Sequence, residues 1–216
     1  MTFSPTEYLA IAACLTAILM AGASDLRMNL TYYSIQTFLL AGVTAVLAPI
    51  LKEEWLLVLA VLLALIKGVS VPIFLNWIRQ KIGVNKDIGV MLATPLSMHL
   101  CVVLLGASYL FTRTLPLAPF EGRSWPTATA AVSLVFTGLV IMLTRRIALS
   151  QIIGFLVLEN GIYLFALTQT SGMPMLVEMG ILLDVLAGVM VAGLLIFNIQ
   201  KSFEHIDVTL LDELKD

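Results

Sequence analysis

Seven long apolar runs, separated only by short polar links, constrain this chain more than any other feature of its sequence. They cover about residues 6–23, 32–50, 55–78, 88–112, 125–144, 148–170 and 174–199. At ~1.5 Å per residue, a helix of about 20 residues crosses the ~30 Å hydrocarbon core of a bilayer. Lipid offers no hydrogen bonds to an open backbone, so runs this continuous predict helices rather than barrel strands. The composition agrees, with 60% hydrophobic and 12% charged residues and a mean hydropathy of +1.01, far from a water-soluble domain. The expected fold is an all-α integral membrane protein of about seven transmembrane helices. The first run lacks the basic start of a secretory signal, Arg27 lying on its far side, so it is expected to remain as a span.

The links carry little that could do chemistry in water. The longest, about residues 113–124, holds Pro116, Pro119 and Gly122, which is turn chemistry without room for a catalytic domain. The chain shows no Gly-rich phosphate loop and no nucleophile elbow. Cys14 and Cys101 fall in different runs with no CxxC, so they read as small buried hydrophobes, and no cofactor or metal is expected on this chain. The net charge of -2 is a small remainder of nearly balanced loop charges, and no basic, aromatic-interleaved patch points to nucleic acid. Any enzymatic activity therefore belongs to a larger assembly. Lys and Arg in the links give the orientation: Arg27, Arg79, Lys81, Lys86, Arg145, Arg146, Lys201 and Lys215 gather on one side, against Lys52, Arg113 and Arg123 on the other. That bias puts the N-terminus outside and the C-terminus in the cytoplasm.

Three ionisable residues interrupt the apolar runs near their middles: Lys67 in the third, Glu159 in the sixth and Asp184 in the seventh. A charge at that depth is costly and is kept for an ion pathway or for a partner, so three at one level suggest a proton path. A carboxylic acid taken out of water favours its protonated form, whereas a nearby ammonium favours the ionised one, so movement of Lys67 would toggle an adjacent acid. The plainer reading is a buried ion pair, Lys67 with Glu159 or Asp184, that fixes the bundle and moves nothing. Tyr163, one turn after Glu159, shares its face. Gly180, Asp184, Gly188 and Ala192 recur every four residues and let another helix approach beside the acid. Glu178 lies nearer the outer interface on another face, as a boundary residue or an exit for the path. His99, four residues after Pro95, is either a proton relay or a polar group bonding across the bundle beside a proline kink. In the last segment, Phe203, Ile206, Leu210 and Leu214 stand among acidic residues at helical spacing, an amphipathic pattern that suits a partner-binding tail better than one lying on anionic lipid, with a frayed terminus as the plainer reading.

The stretches RRIALSQIIGFLVLENG (145–161), LVEMGILLD (176–184) and DVTLLDELK (207–215), and more loosely KGVSVP (67–72), resemble the hydrogenase-4 component E family. That family comprises membrane subunits of formate hydrogenlyase-type and related group 4 hydrogenase complexes. Its last three spans are similar to the K-type subunit of respiratory complex I and the C subunit of multi-subunit Na⁺/H⁺ antiporters, where two membrane carboxylates on successive helices serve proton translocation. The resemblance implies that Glu159 is the first of that pair and Asp184 the second, as Asp where the complex I subunit carries Glu. It divides the chain into a four-helix region (1–124), a K-type-like three-helix region (125–200) and a cytoplasmic tail (201–216). It further implies the inner membrane, H⁺ or Na⁺ as the ion, and companions: antiporter-like subunits, a membrane anchor, and a peripheral hydrogenase or dehydrogenase module bearing the nickel-iron and iron-sulfur centres. The chain itself would be a non-catalytic subunit of an oxidoreductase. A stand-alone secondary transporter or a structural scaffold are the alternatives; a transporter ordinarily shows paired broken helices, and here only Gly68 with Pro72 resembles a break.

Overall fold

The fold comes from a computed structural model, which describes residues 3–87, 91–115 and 124–169, together with Gly188. Within these residues the chain is all-α. Helices α1 (Pro5–Ala21), α2 (Leu26–Leu51), α3 (Trp55–Leu63), α4 (Val71–Lys81), α5 (Thr94–Thr114), α6 (Trp125–Thr144) and α7 (Ala148–Gln169) follow one another, and a π-helical turn, Ala64–Ser70, joins α3 to α4. Those last two and the turn form one rod, Trp55–Lys81; together with α2, α5, α6 and α7 it makes five helices long and apolar enough to cross a membrane, while α1 is shorter. The seventh run apart from Gly188, and with it Asp184 and Glu178, lies outside the described residues, as does the acidic tail.

Local chemistry sets the helix ends. Ser4 and Glu7 form a reciprocal capping box at the start of α1, and Asp25 accepts from the Arg27 and Met28 amides at the start of α2. That cap starts α2 at Leu26, six residues before the apolar run, because a capped polar turn continues a helix that hydropathy alone truncates. The fourth run is corrected in the other direction. Residues 91–93 are not helical, and α5 begins at Thr94, with Pro95 in its first turn, as Pro5 and Pro126 are in theirs. Proline in the first turn forfeits no helical hydrogen bond, so Pro95 starts α5 rather than kinking it.

The tightest seam joins α6 and α7. A Cβ added to Gly138 would fall 2.5 Å from the Leu158 amide nitrogen, and one added to Gly161 would fall 2.7 Å from the Val135 nitrogen. Backbones this close require glycine, the usual way that helices associate where lipid removes the hydrophobic drive between them. Gly154 and Gly161 lie seven residues apart on one face of α7. At about 100° per residue, Glu159 lies roughly 140° round from Gly154, so the seam with α6 turns the acid toward α2 and the π turn. The other end of the scale is α5 and the Trp55–Lys81 rod, which present Val58, Val61, Leu65, Ile73, Val103 and Leu110 outward. The interior encloses polar groups beside an apolar core, and much of the surface is itself apolar, as suits lipid or apolar protein neighbours.

Candidate functional site: a buried ion pair on a π turn

The site begins with a local conflict in the sequence Lys67-Gly-Val-Ser-Val-Pro72. Pro72 has no N–H, so it cannot bond the Gly68 carbonyl four residues back. The rod responds by widening: the Val71 amide reaches back five residues to Ile66 O, and Ser70 Oγ donates to Leu65 O at 3.0 Å. The freed Gly68 carbonyl accepts instead from Ser34 Oγ of α2 at 2.8 Å. A π turn inside a helix commonly marks a functional position. Here its consequence is orientation, since Leu65 and Ile66 face outward while Lys67 is buried, 4% exposed.

Lys67 Nζ meets Glu159 Oε2 at 3.2 Å, with both side chains enclosed. This is the ion pair found among the described residues. It sits near the middle of both the 27-residue rod Trp55–Lys81 and the 22-residue α7. Asn160 Nδ2 donates to Gln36 Oε1 at 3.0 Å and to Thr37 Oγ1 at 3.4 Å, and Gln36 Nε2 donates to Ala13 O at 3.2 Å. One turn on, the Tyr163 hydroxyl and Thr44 Oγ1 share a 2.8 Å hydrogen bond. A polar layer thus runs from α1 through α2 to α7 and the π turn. Removing two charges from water costs several kcal/mol per ion, and attraction offsets that only in good geometry with extra hydrogen bonds. Chemically, an ammonium and a carboxylate in contact, shielded from lipid, can exchange or jointly hold a proton.

Of the residues singled out in the sequence, the structure brings together Lys67, Glu159 and, one turn away, Tyr163. His99 is apart from them: it is exposed on α5, where its Nδ1 bonds Pro95 O of its own helix at 2.6 Å rather than a group across the bundle. Asp184 and Glu178 fall outside the described residues. Cys14 and Cys101 are both buried thiols, the former donating to Ser133 Oγ at 3.3 Å. Residues not singled out are Gln36, Thr37 and Thr44, although Asn29, Tyr33, Gln36 and Thr44 recur on α2 at spacings that put them on one inward face. Polar residues at helical spacing within an apolar run carried that signal.

A second buried polar cluster lies at the Lys/Arg-rich end. The Leu26 amide donates to Asn85 O and the Asp87 amide to Ser24 O, tying the α1–α2 turn to the link after α4. Arg145, counted above as a link charge, is 2% exposed; its Nη2 donates to Ala21 O at 2.8 Å and Ala23 O at 3.0 Å. Burial pulls this guanidinium below its usual pKa, and the negative charge of Asp87 opposes the pull.

Fold and site define a multi-pass, all-α membrane protein with a charged pair enclosed at mid-depth. Along 203 residues, 93% of each chain, it is 27% identical to Hydrogenase-4 component E of Escherichia coli (strain K12), and the same holds for Hydrogenase-4 component E of Shigella flexneri. This near full-length likeness supports the hydrogenase-4 component E family. The uncharacterized protein Rv0085 of Mycobacterium tuberculosis (strain ATCC 25618 / H37Rv) is 38% identical over 128 residues, 57% of this chain and 58% of that protein. No family model matches the chain, and no solved structure matches it.

Proposed function

We propose that this protein is a membrane subunit of a hydrogenase-type complex and that Lys67 and Glu159 carry protons through it. The likeness to Hydrogenase-4 component E supports the first part. The observation that carries the second is the enclosed 3.2 Å contact between a lysine and a carboxylate at the centre of two membrane-length helices, with the lysine on a π turn. When the pair is closed, each charge satisfies the other. When a neighbouring subunit's movement draws Lys67 away, the remaining carboxylate gains by taking a proton, and closure expels it. The π turn is the element able to move, because its hydrogen bonds are already redistributed between Ser34, Ser70 and Ile66. Asp184 on the next run is the second acid in this reading, with Glu178 at the outer boundary and Tyr163 beside the pair.

The redox chemistry belongs to other subunits of the complex: antiporter-like membrane subunits, a membrane anchor and a peripheral hydrogenase or dehydrogenase module with nickel-iron and iron-sulfur centres. The Lys/Arg-rich end faces the cytoplasm of an inner membrane, which follows from the eight-to-three distribution of link charges. Purification of the native assembly from membranes, with identification of its members, tests this directly. Nickel-iron and antiporter-like subunits should co-purify with the chain. Recovery of the chain only as a homo-oligomer would overturn the assignment in favour of a stand-alone transporter.

A further inference from the structure

Among the described residues, four buried polar atoms at the Lys/Arg-rich end have no hydrogen-bond partner: both carboxylate oxygens of Asp87, Nη1 of Arg145 and Oδ1 of Asn29. The residues that carry them are 5%, 2% and 4% exposed. All three hang on the α1–α2 turn. Asp87 bonds Ser24 O through its amide, Arg145 bonds Ala21 O and Ala23 O, and Asn29 Nδ2 bonds Ala23 O at 3.3 Å. Asp87 and Arg145 feel each other's charge but make no direct ion pair.

A buried polar atom left unsatisfied is costly, so four around one turn point to a ligand. Three are acceptors and one is a donor. A bare cation would suit the oxygens but meet the guanidinium of Arg145; an anion would suit Nη1 but meet the Asp87 carboxylate. Water both donates and accepts, and two to four polar partners are what a buried water needs. The buried face of α2 then continues inward from Asn29 through Tyr33 to Gln36, which bonds Asn160, the neighbour of Glu159. Asn160 Oδ1 is another buried atom without a partner among the described residues. Asn29 and Gln36 are two turns apart, about 10 Å, a gap that a short chain of waters spans.

We propose that Asp87, Arg145 and Asn29 form a buried water-binding site, the inner mouth of a hydrated path along α2 to Glu159. This rests on the reading of Glu159 as the proton carrier. A proton from the aqueous phase protonates the Asp87 carboxylate; Asp87 releases it to the first water, each water passes one proton forward as it receives one, and the Glu159 carboxylate accepts the last. Asn29 and Gln36 orient the waters and keep their own protons. Arg145 keeps the mouth from holding a bare cation.

The test is side-specific cysteine labelling of the full chain in membrane vesicles, with Cys14 and Cys101 replaced by Ala. Impermeant methanethiosulfonate reagents of either charge modify only thiols that water reaches. Asn29→Cys and Gln36→Cys should react about tenfold or more faster than Ala41→Cys, a buried apolar position of the same helix, and only from the Lys/Arg-rich side. Equal, slow rates at all three positions would overturn the path. In the assembled complex, Asp87→Asn should slow proton uptake from that side by about tenfold, and Asp87→Glu should restore it. Where Asp87→Asn prevents assembly, the labelling decides. Dry cysteines together with loss of translocation in Glu159→Gln sink the path and leave Glu159 in place. Labelled cysteines with normal translocation in Glu159→Gln sink the carrier role and leave the water site.

Discussion

The two buried charged clusters differ in how their charges meet. Lys67 and Glu159 touch at 3.2 Å in the middle of the bundle, whereas Asp87 and Arg145, at its Lys/Arg-rich end, are enclosed near each other without touching and are tied to backbone carbonyls of the α1–α2 turn. The first pair depends on a helix that has been widened to reach it; the second depends on links that cross the end of the bundle. Contact suits a pair that must open and close as a unit, since opening it takes the counter-charge from both groups at once. Separation suits a fixed frame that holds water, since neither side chain takes up the polar atoms of the other. The difference also divides the roles of α7, whose one face is locked to α6 by glycines while the other carries the acid.

The largest effect separating the clusters should come from Lys67→Met, which strands Glu159. Breaking a buried pair from one side costs about 3–5 kcal/mol. Denaturation of the purified complex in detergent should show that loss for the single variant and recover most of it in Lys67→Met with Glu159→Gln, because the second change removes the uncompensated charge. No loss in the single variant would mean that Lys67 is not held by the carboxylate. A smaller effect, on the opposite face of α7, should follow Gly161→Val. Its Cβ would fall 2.7 Å from the Val135 nitrogen and 2.8 Å from Ala131 O, and overpacking of this kind costs about 1–3 kcal/mol. The same denaturation should show it, with the double change at Lys67 and Glu159 adding to it independently. Strong coupling between the two faces would contradict a rigid seam that only positions the acid.

Much of this was readable in the sequence, and the limits have physical reasons. The all-α membrane fold followed from the length of the apolar runs, because lipid leaves the backbone one way to satisfy itself. Lys67 and Glu159 stood out because charge is rare at that depth, and mid-run position in two helices of similar length placed them at one level. What hydropathy missed were polar residues too small or neutral to break an apolar run: Gln36, Thr37 and Thr44 on α2, and Asn160 beside the acid. Their spacing held the information, but lipid-facing and partner-facing positions are equally apolar, so only contact with α7 shows which face points inward. Arg145 misled for the opposite reason. Its place between two runs marked it as a water-exposed link charge, while its fold against Ala21 and Ala23 buries it. The π turn could be anticipated only as a break at Gly68 and Pro72; that the break would turn Lys67 inward depends on Ser34 taking the carbonyl that Pro72 releases.

Proton translocation by Glu159 variants in the assembled complex bears most directly on the role of the buried pair. Glu159→Gln keeps the size and hydrogen-bonding capacity of the side chain but carries no exchangeable carboxyl proton, and Glu159→Asp keeps the acid on a shorter arm. Proton movement across sealed vesicles, followed during turnover of the redox reaction, should be lost in an assembled Glu159→Gln complex and partly retained in Glu159→Asp. Normal translocation by assembled Glu159→Gln would contradict the carrier role and leave Lys67 and Glu159 as a structural ion pair.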